Sequence, residues 1–478
     1  AFIFMATIFP INNLYDLDEK KIFDFIKAFK NDKVLPNYLL ELIELILNRK
    51  ITKPIEIRIF LENHNHGNLT LHSEDSIINR NTYDSLILDI NNLKNSIYED
   101  MTLNRKDRLF PADPMVYYTN SINVAYGSLG VLYVLNRIEK NWNLDLRKAL
   151  SWTLSKNISF EKYPPNFFTG LSGIAWVLAD IGYISEAKMV LNEANRHKLA
   201  NHSFDLFYGL AGLGMSNLFM YKKTNELQFL YNSIEIADQI IANSIEFNDN
   251  SIFWEDIEGY SFLGYGRVPS GIALFLLYIF LETNSKKYYD TGIRALNYDI
   301  NFLKSPTTDV LSLPKSIDTQ NTLSPYLYDG SVGVGTTLLR YYYVSNDKRY
   351  LDIIKQIVND SKRKYTAFPS LMRGLSGLGN FLLDCYMYLG DREFINSANK
   401  VYEGIKCFEL YNKGNIAFPG EQLFRVSHDY STGGSGILLF LYRLSNVTTD
   451  PYNYNFLLDH FYNRLRCDNE KVILKQDS

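Results

Sequence analysis

Cysteine, histidine and tryptophan are scarce in this chain of 478 residues, which holds three, seven and four of them. Cys385, Cys407 and Cys467 cannot all pair, and their spacing matches no metal-binding pattern. A disulfide-stapled secreted fold is excluded, and a reducing, cytoplasmic setting is expected. Excess charge of one sign is also missing. Against 49 Lys and Arg stand 53 Asp and Glu, a net charge of −4 without basic clusters, which argues against a nucleic-acid surface. No apolar run is long enough to cross a bilayer, so no membrane partner is expected. The opening AFIFMATIF lacks the basic flank and cleavage site of a secretory signal. Starting at Ala1 in mid-pattern without an initiator Met, the chain is expected to be the carboxy-terminal piece of a longer protein.

Apolar residues are plentiful, at 46%, enough for a large core. Seven times a small glycine knot stands directly ahead of an apolar helical run. The knots are Gly127–Gly130, Gly170–Gly173, Gly209–Gly212, Val268–Gly271, Gly330–Gly333, Gly374–Gly377 and Gly433–Gly436. Their last glycines are separated by 43, 39, 59, 62, 44 and 59 residues. Each step fits a hairpin of one inner helix after the knot and one outer helix before the next, with outer candidates at Glu226–Glu246 and Asn284–Phe302. Strand signals are sparse. The expected fold is all-α, an α/α toroid in which seven inner and seven outer helices form a double ring. The tight turn into each inner helix favours φ > 0 and no Cβ. Seven helix N-termini would then converge on one basin and favour developing negative charge.

Ahead of the repeats, residues 1–61 are helical, with one apolar stripe at Ile22, Phe23, Phe25, Ile26 and Phe29 and another from Leu39 to Leu47 after Pro36. This stretch, ending in Pro54 and Arg58, resembles the last helices of a protein-kinase C-lobe. No kinase catalytic motif is present, so the chain cannot itself transfer phosphate. Residues 62–114 are a polar connector with one helix around 83–99; its His64, His66 and His72 read as solvated linker rather than metal ligands. The toroid is expected over 115–470.

The run of knots is similar to the lanthionine synthetase C-like family, the cyclases of lanthipeptide biosynthesis. With a kinase-like end upstream, it resembles the kinase-fused class III and class IV synthetases, which join lyase, kinase and cyclase domains. The resemblance implies addition of a precursor-peptide Cys thiol to dehydroalanine or dehydrobutyrine, closing a lanthionine, methyllanthionine or labionin ring. It implies as partners the precursor peptide and fused kinase and lyase domains, and it leaves homo-oligomerisation open. Zinc-dependent members carry Cys before the fifth knot and Cys-His before the sixth. Here those positions hold Tyr328, Met372 and Arg373. A phenol, a thioether and a guanidinium do not make a tetrahedral zinc site. No metal is expected for the cyclase, which favours class III; nucleoside triphosphate and Mg belong only to a kinase part.

Two further family positions carry across: Asp205 keeps its acid, and Arg267 stands where a His is expected. Arg267 and Arg373 are expected to substitute electrostatically for zinc in lowering the thiol pKa. Arginine does not shuttle protons, so the acid–base candidates are Tyr328, Asp205 and His428. Tyr260, Phe262 and Tyr265 are expected to wall the basin for a peptide, with Asp329 and Asp429 beside it. Each has a plain alternative: Tyr328 as filler, Arg373 neutralising Asp329, Asp205 capping a turn. Two competing readings are a degenerate toroid that only holds the peptide or props up a kinase, and an α/α-toroid glycoside hydrolase, which would need a carboxylate pair at the basin.

Overall fold

A computed structural model of the chain describes residues 37–64 and 80–465, apart from Lys140, Val268, Thr319, Lys413, Phe424 and 450–455. The stripe from Ile22 to Phe29, together with His66, His72 and Cys467, lies outside the described residues.

Each knot starts an inner helix. The seven run Ser128–Ile138, Leu171–Asp180, Leu210–Thr224, Ser270–Thr283, Ser331–Ser345, Leu375–Leu389 and Gly434–Asn446. Each packs on the next and the last packs on the first, so the row closes into a ring. The inner helices are apolar all round because every face meets protein: the eight residues from Ile272 to Ile279 are all fully buried. Six outer helices, Leu144–Leu154, Ile184–Asn195, Leu227–Ala242, Lys286–Phe302, Lys348–Ser361 and Glu393–Lys406, each cover the inner helix before them. These are amphipathic; Lys348–Ser361 buries Tyr350, Ile354, Ile357 and Val358 at helical spacing. Four inner helices end on a left-handed residue, Asn225, Asn284, Asn346 or Gly390, which stops the helix cleanly.

The seventh outer place is filled from ahead of the repeats. Arg80–Glu99, assigned to the connector by sequence, packs on the last inner helix with Leu86, Ile90, Leu93 and Ile97 buried. Its Asp89 takes an ion pair from Lys406 at 2.7 Å, which ties it to the sixth outer helix. That helix is required there because the last inner helix is followed by no outer helix among the described residues. The long steps of 59, 62 and 59 residues are also explained. In each, short antiparallel strands stand between the outer helix and the next knot: Ile245–Asn248 with Ser251–Phe253, Lys304–Thr307 with Val310–Pro314 and Leu323–Ser324, and Leu410–Asn412 with Asn415–Ala417.

The reason for the knot glycines is a correction to the expected positive φ. The first glycines are extended, from φ −99° at Gly127 to −161° at Gly374. Close approach is what excludes a side chain. A Cβ on Gly333 would lie 2.2 Å from the Leu327 carbonyl oxygen and 2.6 Å from Tyr265 Cβ, and the other last glycines meet equivalent atoms. The residue six before each last glycine thus packs its Cβ against the knot of the neighbouring repeat.

Below the knots the axis is filled by 456–465. Phe456 stacks on Tyr133 and meets Phe167, Phe168, Trp176 and Tyr430 edge-on. Deeper, fully buried Arg340 donates to Asp459 at 2.7–3.1 Å and to Asp384 at 2.9 Å, and Asp384 also pairs with Arg443. Tyr278 donates its hydroxyl to Asp459 at 2.6 Å, so a compensated charge cluster anchors this segment. Among the described residues no helix is long and apolar enough to cross a membrane.

Candidate active site

Two residues before each knot, the backbone of a turn forms, with its six counterparts, a closed ring of seven hydrogen bonds around the toroid axis. The Ala125 amide donates to Phe168 O (2.8 Å), Phe168 to Phe207 O (3.3 Å) and Phe207 to Gly266 O (3.0 Å). Gly266 donates to Tyr328 O (2.8 Å), Tyr328 to Met372 O (2.9 Å), Met372 to Ser431 O (3.1 Å), and Ser431 back to Ala125 O (3.0 Å). Every repeat gives one donor and one acceptor, so no polar backbone group is stranded at the crowded axis. Residues three before each knot, such as Tyr265, Leu327, Leu371 and Tyr430, fall on the inner side around a small cavity that Phe168 and Met372 also line. Residues two and one before it reach the outer side, where Tyr126, Phe207, Tyr208, Tyr328, Met372, Arg373, Ser431 and Thr432 line an open cleft of about 420 Å³.

Tyr328 and Arg373 stand in this cleft together. The Arg373 guanidinium lies 4.8 Å from the Tyr328 ring centroid, donates to Asp329 at 2.9 Å and reaches Glu421 at 3.4 Å. Tyr328 is buried, edge-on to Phe207, and burial pushes its phenol well up. Burial raises the Tyr208 phenol too, against a hydrogen bond with Tyr328 and the nearby Arg267 charge. Arg267 is held at the rim, its guanidinium 3.7 Å from the Phe262 centroid and 5.5 Å from that of Tyr208, with Asp256 at 4.0 Å. Neither guanidinium is directed wholly into solvent; their side chains are 35% and 40% exposed for Arg267 and Arg373.

The remaining sequence candidates sit elsewhere. Asp205 is buried in its turn, accepting from the Tyr208 amide and from Ser203 Oγ at 2.7 Å. Desolvation raises its carboxyl despite those donors. Asp429, Asn123 and Asn166 hold equivalent turns through the amides of Thr432, Tyr126 and Thr169. His428 is fully buried away from the cleft lining, 3.0 Å from Asp100 just past the seventh outer helix. Tyr265 lies on the inner side of the ring and Tyr260 is exposed on its loop, so of the three expected wall aromatics only Phe262 touches a cleft cation. The helix N-termini do not offer their first amides to the basin. Those of Ser128, Leu171, Leu210, Leu375 and Gly434 already donate to carbonyls seven residues upstream.

Tyr126, Tyr208, Thr432 and Glu421 line the cleft but are not among the sequence candidates. The first three occupy the position directly before a knot, a register the repeats display. Glu421 comes from a loop with no such signal. The residues at the family's zinc positions do not fit zinc. Arg373 has no lone pair to give, burial drives Tyr328 toward its protonated form, and Met372 offers only a neutral thioether. Among the described residues no group of three or more His, Cys, Asp or Glu is placed to hold a metal ion.

A double ring of inner and outer helices, with pre-knot backbone hydrogen-bonded around its axis, defines an α/α toroid. The chain belongs to the lanthionine synthetase C-like protein family, whose profile matches residues 121–322 and 321–476. A probable SapB synthase of Streptomyces coelicolor is 26% identical over 357 residues, covering 72% of this chain and 36% of that protein. The chain therefore spans about a third of the length of that curated relative. Nisin cyclase shares the fold with a TM-score of 0.50 at 13% identity, covering 81% of this chain and 97% of nisin cyclase.

Proposed function

We propose that this chain is the cyclase part of a class III lanthipeptide synthetase. It joins Cys thiols of a ribosomally made precursor peptide to dehydroalanine or dehydrobutyrine without a metal, giving lanthionine, methyllanthionine or labionin rings. The observation that supports this reading is the Tyr328–Arg373 pair inside the cleft of a lanthionine synthetase C-like toroid, at positions where the resemblance to zinc-dependent members implies Cys and His. Arg373, with Arg267 at the rim, supplies the positive charge that favours a thiolate. As sulfur adds to the alkene carbon, charge develops on the dehydro residue's carbonyl oxygen. Arg373 and the hydrogen-bonded Tyr208–Tyr328 hydroxyls are the donors near enough to stabilise it. Tyrosine also supplies a proton for the α-carbon. Asp205 then serves by fixing the turn that presents Tyr208.

The proposed division is a kinase C-lobe end over 1–61, a connector, and a toroid ending near 470, with Arg80–Glu99 counted in the toroid because it occupies an outer place. Helices Asn37–Leu47 and Pro54–His64 support the first part, since they match the expected helical pattern. Kinase and lyase domains are proposed as covalent partners, with nucleoside triphosphate and Mg confined to the kinase. The proposed setting is the cytoplasm, with no nucleic-acid or membrane partner. The test supplies dehydrated precursor peptide and counts free thiols with an alkylating reagent, with and without a chelator. Loss of thiols relative to an enzyme-free control, unaffected by chelation, is expected. Unchanged thiols would sink the cyclase reading; loss of activity on chelation, restored by zinc, would sink its metal independence.

A further inference from the structure

We infer that Glu421 is the group that accepts the substrate thiol's proton, held in the cleft by a strained turn. This rests on the cyclase reading and deepens it. The ionisable side chains in the cleft wall are Tyr126, Tyr208, Tyr328, Arg373 and Glu421. Burial pushes all three phenols up, so they hold their protons, and a guanidinium accepts none. Glu421 is the carboxylate of that wall. The other nearby carboxylates are already engaged. Asp205 is bonded within its turn, Asp329 by Ser324 and Arg373, and Asp429 by Ser427, Thr432 and the Asp113 amide. Glu421 instead faces Arg373 at 3.4 Å, long for a charge-assisted hydrogen bond, with its side chain 28% exposed.

The local backbone carries a second, independent sign. Gln422 and Leu423 are consecutive non-glycine residues in the left-handed region, with φ of 63° and 57°. Such outliers persist only where surrounding structure enforces them, and they cluster at functional sites. Enforcement is visible here. The Leu423 side chain is buried in the toroid core, the Gly420 amide donates to Arg425 O at 2.9 Å, and Pro419 bridges Val426. The turn so fixed begins at Glu421.

The step balances without any further reactant. Glu421 takes the S–H proton as sulfur's electron pair forms the S–C bond to the alkene carbon. The C=C π pair moves onto the carbonyl as an enolate, which collapses by taking a proton at its α-carbon from the Tyr208–Tyr328 pair. Glu421 returns its proton to that pair through solvent. Arg373 faces Glu421 at 3.4 Å, and the Glu421 charge is felt by Tyr126 and Asp113.

The test compares wild type, E421Q and E421D in ring formation on dehydrated precursor peptide. E421Q should lower kcat about 10²–10³-fold with KM little changed. E421D restores a carboxylate and should run faster than E421Q while staying below wild type. Wild type that cyclises alongside an E421Q with the same kcat would overturn the assignment while leaving the cyclase reading intact. Wild type that forms no ring would remove both. Should E421Q prove unfolded by circular dichroism, E421D decides: a folded E421D with the wild-type kcat overturns the assignment, and a kcat lowered about tenfold or more at unchanged KM supports it.

Discussion

Replacing Gly333 by Ala probes whether the knots need glycine for close approach. The added Cβ would sit 2.2 Å from the Leu327 carbonyl oxygen and 2.6 Å from Tyr265 Cβ, where ordinary contacts begin at 3.4 Å. Leu327 must retreat by roughly an ångström, and it is covalently joined to Tyr328, which donates one ring hydrogen bond and accepts another. Overpacking costs about 1–3 kcal/mol. Weakening two buried hydrogen bonds adds about 0.5–1.5 kcal/mol each. The expected loss is therefore about 2–6 kcal/mol, read as a lower urea midpoint at unchanged slope. Because Tyr328 and Arg373 hang from the same ring, ring formation on dehydrated peptide should fall as well. Were G333A to unfold within about 0.5 kcal/mol of wild type, the approach drawn between neighbouring repeats would be wrong.

Removing Asp459 leaves two buried guanidiniums, Arg340 and Arg443, to share Asp384, so Asp459→Ala should cost about 3–5 kcal/mol in urea denaturation; a loss under 1 kcal/mol would show that the axial segment is not anchored there. In the cleft, Arg373→Met should slow ring formation about 10²–10³-fold while lowering stability by less than about 1 kcal/mol, since its ion pairs are partly solvated; an unchanged rate would refute its electrostatic role. Burial first, then the nearby Asp429 and Glu421 charges, raise Asp113 from 3.8 to about 6, against its bond to the Met115 amide. The folded state therefore binds this proton more tightly than the unfolded one, and the stabilisation is full below pH 3.8 and lost as pH rises through about 6. That difference is worth at most about 3 kcal/mol, and Asp113→Asn should flatten stability across that window; an unaltered slope would assign it to other groups.

Local pattern sufficed for much of this architecture. Glycine spacing and apolar runs identify all seven inner helices, because each start is written within a few adjacent residues. The same spacing puts Tyr328 two residues and Arg373 one residue before their knots, and both line the cleft. Register does not say on which side of the axis a residue falls. Tyr265, three residues before its knot, lines the inner cavity, while Tyr208 and Thr432, one residue before theirs, line the cleft, because the chain turns between those positions. His428 stands just before the last knot, as Asp205 does before the third, yet its imidazole meets Asp100, 328 residues away.

The amino-acid sequence by itself determined that this chain is helical and sevenfold, since those properties follow from apolar periodicity and glycine spacing within each repeat. Only the tertiary structure decided that the ring closes through backbone hydrogen bonds, that Arg80–Glu99 completes the outer layer, and that Glu421 faces Arg373. These are pairings between residues distant in the chain, and their partners are selected by geometry that exists only once all seven repeats have met.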